Sequence, residues 1–265
     1  MNLDAELLVS KFTRMGARLD LFSRGETTRL DVRESRRGEY FELNTGSVPY
    51  RDFLVMDLDP GRRHLLLMQR APGERPTRYL CGHDERHWFV AAVPEAGGAS
   101  NVREAMEQLK PKPVREALRS KKIKGERRQR RRNEAYVRQG EWFFVPLAED
   151  QSPGATCVHY AEPLSRGPGS KPHLVDEVIR EGGTTVYVTQ RYPAGLTERQ
   201  RADLFRRKPA ARDWNWTVFK RDPRVLARGR VRHLDHATIF LDGWHEVHMN
   251  TERQARGNRH IVFLD

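Results

Sequence analysis

Histidines, a cysteine and a few carboxylates in this chain stand close enough in sequence to share an ion or a proton. Cys81-Gly-His83-Asp84-Glu85-Arg86-His87 is the tightest group. A C-x-H-x3-H run supplies thiolate and imidazole, the donors a transition metal such as zinc takes, so Cys81, His83 and His87 are candidate ligands. The fourth ligand of a structural zinc is missing nearby. A polar turn with a buried cysteine is the competing reading. The second group is His233, His236, His245 and His248, which reads HxxH…HxxH. Asp242-Gly243 between the two halves predicts a type I′ hairpin turn. That turn pairs Leu241 with Trp244 and Phe240 with His245, and so places His236 opposite Met249 and His248 opposite Ala237. His236 and His245 then share a face but lie ~13 Å apart along the ladder, at ~3.3 Å per residue. Four histidines on one ion are thereby excluded. The expected site instead combines His233 or His236 with His159 or His173, with Glu252 as an acid–base group. The candidate catalytic set is His159, His173, His236 and Glu252, with a divalent metal as cofactor if the chain is an enzyme.

Between His159 and His173 runs Ser165-Arg166-Gly-Pro-Gly-Ser170-Lys171-Pro172, a glycine-rich, basic loop. Backbone N–H groups of such a loop suit a phosphate, with Arg166 or Lys171 as counter-charge. Pro172 follows the lysine where a P-loop has Ser or Thr, so a nucleotide triphosphatase is not expected. The stretch HYAEPLSRG, residues 159–167, resembles the first loop of HNH-type nucleases, in which a general-base histidine precedes a Pro-Leu-Ser-x-Gly turn. Val158 stands where that family has Asp, Pro163 falls one place late, and no Asn–His pair follows in register. The resemblance implies His159 as the base that activates water and His173 as a metal ligand.

The chain has 48 Lys+Arg against 36 Asp+Glu, a net +12 with a pI near 10.1. Most of the cations are Arg, as a GC-rich genome alone produces, but codon bias does not explain the net charge. Its distribution is uneven. Arg119, Lys121, Lys122, Lys124, Arg127, Arg128, Arg130, Arg131, Arg132 and Arg138 face only Glu126 and Glu134, so this segment carries two-thirds of the excess. Such a run neutralises phosphates and makes binding salt-dependent without reading sequence. Lys121, Lys122, Lys124, Arg127, Arg128, Arg130, Arg131, Arg132, Arg166 and Lys171 are the candidate nucleic-acid contacts. A solvated linker, or a segment that binds an acidic protein, is the alternative. The aromatic trio Trp142-Phe143-Phe144 just beyond reads as core strand and not as a base-stacking surface.

The elements that must hold these groups read as β-rich. Ala17–Phe22, Thr28–Val32, Tyr40–Leu43, Phe53–Leu58, His64–Gln69 and His87–Val93 are short apolar or alternating runs between turn signals. Asn101 and Glu104 open a helix that breaks at Pro111 and Pro113, and the basic run follows. Beyond it, Glu141–Leu147, Thr156–Tyr160, Thr184–Thr189, Trp214–Phe219, Val225–Val231, Ala237–Leu241, His245–Met249 and Ile261–Leu264 read as strands. Leu174–Arg180 reads as a short helix. Thr197 and Gln200 form a capping box for a helix over Glu198–Arg207.

The expected fold is α+β and β-rich: two mainly antiparallel units, barrel- or sandwich-like, at 1–100 and 139–265, joined by a helical basic connector at 101–138. No apolar stretch is long enough for a membrane-spanning helix. Two widely spaced cysteines and no apolar leader suggest reduced thiols in the cytoplasm. The functional expectation is a nucleic-acid-binding protein, RNA favoured over DNA. A histidine-dependent phosphodiester hydrolase with its site in the C-terminal unit is the alternative, and an interaction module for an acidic protein a third.

Overall fold

A computed structural model of the chain describes residues 2–70, 73, 75–148, 151, 153, 157–166 and 170–254. Among these residues the fold is α+β, with mainly antiparallel pairing. The expected strand at Ile261–Leu264 lies outside the described residues. No described helix is long and apolar enough to cross a membrane. The chain divides into two compact units, residues 2–134 with 249–254, and residues 135–248. Residues 101–134 belong to the first unit and do not stand apart as a connector.

The first unit opens with a helix that the strand pattern does not anticipate, α1 (Leu3–Met15). Asn2 accepts the Asp4 N–H, acidic residues occupy the first turn, and Gly16 ends the helix at φ +88, where a Cβ would be strained. Leu8, Phe12 and Met15 form its buried stripe. Strands β1 (Leu19–Phe22), β2 (Arg29–Ser35) and β3 (Gly38–Asn44) form a sheet in the order β1-β3-β2, with β1 parallel to β3. Strands β4 (Phe53–Asp59), β5 (His64–Gln69), β6 (Thr77–Asp84) and β7 (His87–Val93) form a four-stranded meander.

Strand β5 is buried on both faces. Leu65 and Leu67 join Phe12, Phe41 and Cys81, while Leu66 joins Leu80, Ala91 and the stripe Val102, Ala105 and Leu109. Each such side chain contributes roughly 1.5–3 kcal/mol by leaving water. That second stripe belongs to α2 (Val102–Gln108), which Asn101 caps, and to the residue that follows it. Helix α3 (Lys112–Ser120) carries Pro113 in its first turn. The basic run, expected to be helical, is helical only in part. Lys122 and Gly125 take positive φ, a 3-10 turn spans Gly125–Gln129, and a series of bends follows. Residues 249–254 return to this unit, where Thr251 N–H donates to Leu109 O at 3.0 Å and its hydroxyl to Gln108 O at 2.6 Å.

The second unit holds β8 (Val137–Gln139), β9 (Trp142–Pro146), β10 (His159–Leu164), β11 (His173–Glu181), β12 (Thr184–Thr189), β13 (Tyr192–Leu196), α4 (Glu198–Arg207), β14 (Thr217–Arg221), β15 (Arg224–Arg232) and β16 (Ile239–Met249). Six strands pair in the order β10-β11-β15-β16-β9-β8, and three in the order β13-β12-β14. Val137, Phe144, Val175, Val178, Ala227, Val231 and Leu241 make the core of the larger sheet. Phe143 and Phe144 are buried, as core-strand residues should be.

Two expectations fail here. Leu174–Arg180 is strand β11, not a helix. A register shift between Val175 and Glu177 turns both Val175 and Val178 inward, and this three-residue spacing imitates a helical stripe. Asp242-Gly243 is not a hairpin turn. Strand β16 runs through it, and opposite Ala227–Gly229 it carries two extra residues between Leu241 and His245, with Gly243 at φ +84. The chain bulges there because β15 already occupies the ladder beside β16.

Candidate functional site

The Cys81 group is dispersed. Cys81 lies in the first unit's core, and burial pushes its thiol well above the usual range. The His83 ring meets Trp88 edge-on at 4.9 Å, and burial and then the Arg63 charge lower its pKa. His87 Nδ1 is bonded to Glu39 at 2.7 Å. These three are core, packing and hydrogen-bonding residues. No metal-ligand set forms there among the described residues.

The basic run separates into two kinds of cation. Arg127 pairs with Glu134, Arg131 with Asp84 and Glu85, and Arg128 with Glu107 at 2.7 Å. Arg128 also donates to Ile123 O at 3.1 Å. These three tie the segment to its own unit. Arg119, Lys121, Lys122, Lys124, Arg130 and Arg132 are exposed and have no carboxylate partner among the described residues. The two acids within the run are already engaged, Glu126 by Arg62 and Arg103 and Glu134 by Arg127. The fold therefore leaves a band of outward cations in the first unit.

In the second unit the glycine-rich loop does not lead into a helix. It leads into β11, so it offers no helix N-terminus to a phosphate. Its centre, residues 167–169, lies outside the described residues. Its ends are tied, Ser165 Oγ to Ser170 Oγ at 2.9 Å and the Arg166 N–H to Ser170 Oγ at 3.2 Å. Lys171 is committed to Asp235, with Nζ 2.8 Å from both carboxylate oxygens. Pro163 and Leu164 are paired strand residues of β10, not the turn that the nuclease resemblance requires.

Lys171 and Asp235 brace the place where three histidines meet. His173 begins β11, and His233 and His236 sit on the bend between β15 and β16. Gln139 of β8 clamps that bend, donating to Val231 O at 3.3 Å and Ala237 O at 2.6 Å. The rings stack, with centroids 4.1 Å apart for His173–His233, 4.7 Å for His233–His236 and 5.7 Å for His173–His236. One ring nitrogen from each lies within 4.8 Å of the others. Gly140, at φ +56, faces two of them. A Cβ there would stand 2.9 Å from His236 Nε2 and 3.3 Å from His173 Nε2.

His173 is 1% exposed, and neither of its ring nitrogens has a hydrogen-bond partner. Burial, reinforced by His233 and His236, pushes its pKa down to about 3, so the ring is neutral at ordinary pH. Burial and then His236 also lower the pKa of His233. The Asp235 N–H donates to His233 Nδ1 at 3.1 Å, which leaves the ring proton on Nε2, 3.3 Å from Lys171 O.

The other candidates do not join this cluster. His159 is exposed and pairs opposite Val178, whereas His173 pairs opposite Leu164. Five strand positions separate the two pairs, roughly 16 Å. Glu252 belongs to the first unit, and within the second His159 stands apart from His173. His245 is buried with Nδ1 3.0 Å from Gly243 O, and His248 lies 3.4 Å from Glu246.

One group went unrecognised in the sequence. Tyr192, Trp214 and Trp216 form three near-parallel rings 6.0–6.4 Å apart at interplanar angles of 13–24°. The Arg191 guanidinium lies 4.5 Å, and the Lys208 ammonium 5.3 Å, from the Trp214 ring centre. The signal was available, because Trp-x-Trp in extended chain puts both indoles on one face. No family model, no curated protein and no solved structure matches the chain.

Proposed function

We propose that this protein binds nucleic acid through the phosphate backbone, using Arg119, Lys121, Lys122, Lys124, Arg130 and Arg132. The observation that carries this reading is the division of the basic run: its neighbours satisfy Arg127, Arg128 and Arg131, while these six cations stay exposed with no carboxylate partner among the described residues. Unpaired surface charge of one sign costs self-repulsion and gives nothing to the fold. A polyanion makes such a band useful. The stacked Tyr192, Trp214 and Trp216, flanked by Arg191 and Lys208, suit unpaired bases, since stacking on aromatic rings with nearby cations is how single strands are held without sequence preference.

The test is fluorescence anisotropy with single-stranded and duplex RNA and DNA over a salt series. If all six cations meet phosphates, the log–log salt slope is about −4 on single strands and about −5 on duplex. Replacing the six with Ala flattens the slope and removes most of the binding. Trp216→Ala weakens single-strand binding by about 1–3 kcal/mol and leaves duplex binding alone. Unchanged affinity in the six-residue variant overturns the reading. A copurifying partner that survives nuclease replaces it with an acidic protein.

A further inference from the structure

We propose that His173, His233 and His236 bind a divalent transition-metal ion of the zinc, cobalt, nickel or copper kind. This stands independently of nucleic-acid binding. Three imidazoles suit those ions, whereas magnesium and calcium require oxygen ligands. Asp235, the carboxylate beside them, is held by Lys171.

Two independent observations support the assignment. One is convergence: a ring nitrogen from each histidine lies within 4.8 Å of the other two. The other is the state of His173, which is 1% exposed with neither nitrogen hydrogen-bonded. Buried polar groups are almost always satisfied, and one that is not calls for an explanation. Hydrophobic side chains would fill the same volume without that penalty. A neutral imidazole with a lone pair is the form a metal takes.

The geometry also says what must move. Metal–nitrogen bonds of about 2.0–2.1 Å put tetrahedral ligand nitrogens roughly 3.4 Å apart, so the cluster has to tighten. His173 is held at the start of a core strand. His233 and His236 lie half-buried on a bend, and they are the side chains able to close. His233 gives up one of its two hydrogen bonds, to the Asp235 N–H or to Lys171 O. Three protein ligands leave the fourth position of a tetrahedron to water or a substrate, the open arrangement of catalytic sites.

The experiment titrates Co2+ alone into the full, untagged chain after dialysis against chelator, read by visible absorption. Zn2+ affinity is then measured by competition with a chromophoric chelator. We expect one equivalent of Co2+, with ligand-field bands of low coordination number that Zn2+ abolishes. His233→Ala and His236→Ala each weaken binding at least about 100-fold, more than the loss of an outer-sphere partner causes. His159→Ala changes nothing. The two bend variants are half-buried, and circular dichroism confirms that they fold. Absence of stoichiometric Co2+ and Zn2+ binding by the wild-type chain overturns the proposal. So does binding that survives both bend substitutions.

Discussion

Lys110 in the first unit and His173 in the second are both almost completely buried, and they are treated in opposite ways. Lys110, in the first unit, is 3% exposed. Its ammonium donates to Glu107 at 2.7 Å and Gln129 at 2.8 Å. Glu107 also accepts from Arg128 at 2.7 Å and from Gln129 at 2.7 Å. Burial alone would raise the Glu107 pKa, but Arg128 and Lys110 outweigh it and hold the carboxyl below its ordinary value. His173, in the second unit, is as deeply buried and has no hydrogen bond. Burial is common to both and therefore says little about function. Satisfaction separates them: the first network fastens the basic segment, and the second residue waits with lone pair and proton unmatched.

The largest test of this contrast is Glu107→Ala. It leaves Lys110 buried without its counter-charge, and the first unit should lose about 3–5 kcal/mol. Hydrogen exchange at α2 and β5, whose side chains pack together, measures it. A loss under 1 kcal/mol would mean that Lys110 reaches water easily, and the contrast would fail.

Next comes acid. A histidine whose pKa falls from 6.5 to about 3 on folding binds its proton more readily when unfolded. Stability contributed by the neutral ring is therefore full above pH 6.5 and declines as pH falls toward 3, by at most about 1.4 kcal/mol per pH unit. His233 and His248, both shifted down, act in the same direction in the second unit, as the half-buried His83 does in the first. Glu107 acts in the same direction but in a lower window. Its contribution persists until pH drops below its ordinary value of 4.5. Between pH 6.5 and 4.5 the second unit should weaken more than the first. Four of the five Trp lie in residues 135–248, so denaturation followed by Trp fluorescence reports mainly on that unit.

The smallest effect should come from His173→Phe without metal. Replacing an unsatisfied polar ring by an apolar one of similar shape is close to neutral, within about 1 kcal/mol, or stabilising. Denaturant midpoints decide it. A loss of several kcal/mol would show that His173 is an ordinary structural side chain, and the contrast with Lys110 would collapse.

Much of the fold is legible from local pattern. His64–Gln69, His87–Val93 and Thr184–Thr189 are the observed β5, β7 and β12, because alternation or a short apolar run between turns leaves little choice. The Thr197–Gln200 capping box opens α4 as expected. What escaped depends on partners distant in sequence. The stripe Leu8, Phe12, Met15 could have announced α1, since Asn2 and Gly16 bound it. By contrast, the extra residues of β11 and β16 exist only because of the strands they pair with. The site follows the same rule. His173 and His236 are named by residue type, but the pairing of β11 with β15 decides that they meet each other and not His159.

The hydrogen bonds from Thr251 to Gln108 and Leu109 span up to 143 residues of sequence. They give the chain an order of manufacture. A ribosome makes residues 2–134 early, yet residues 249–254 of the same unit emerge only after residues 135–248 have been synthesised. During synthesis the carbonyls at the end of α2 must wait for a partner the growing chain does not yet contain.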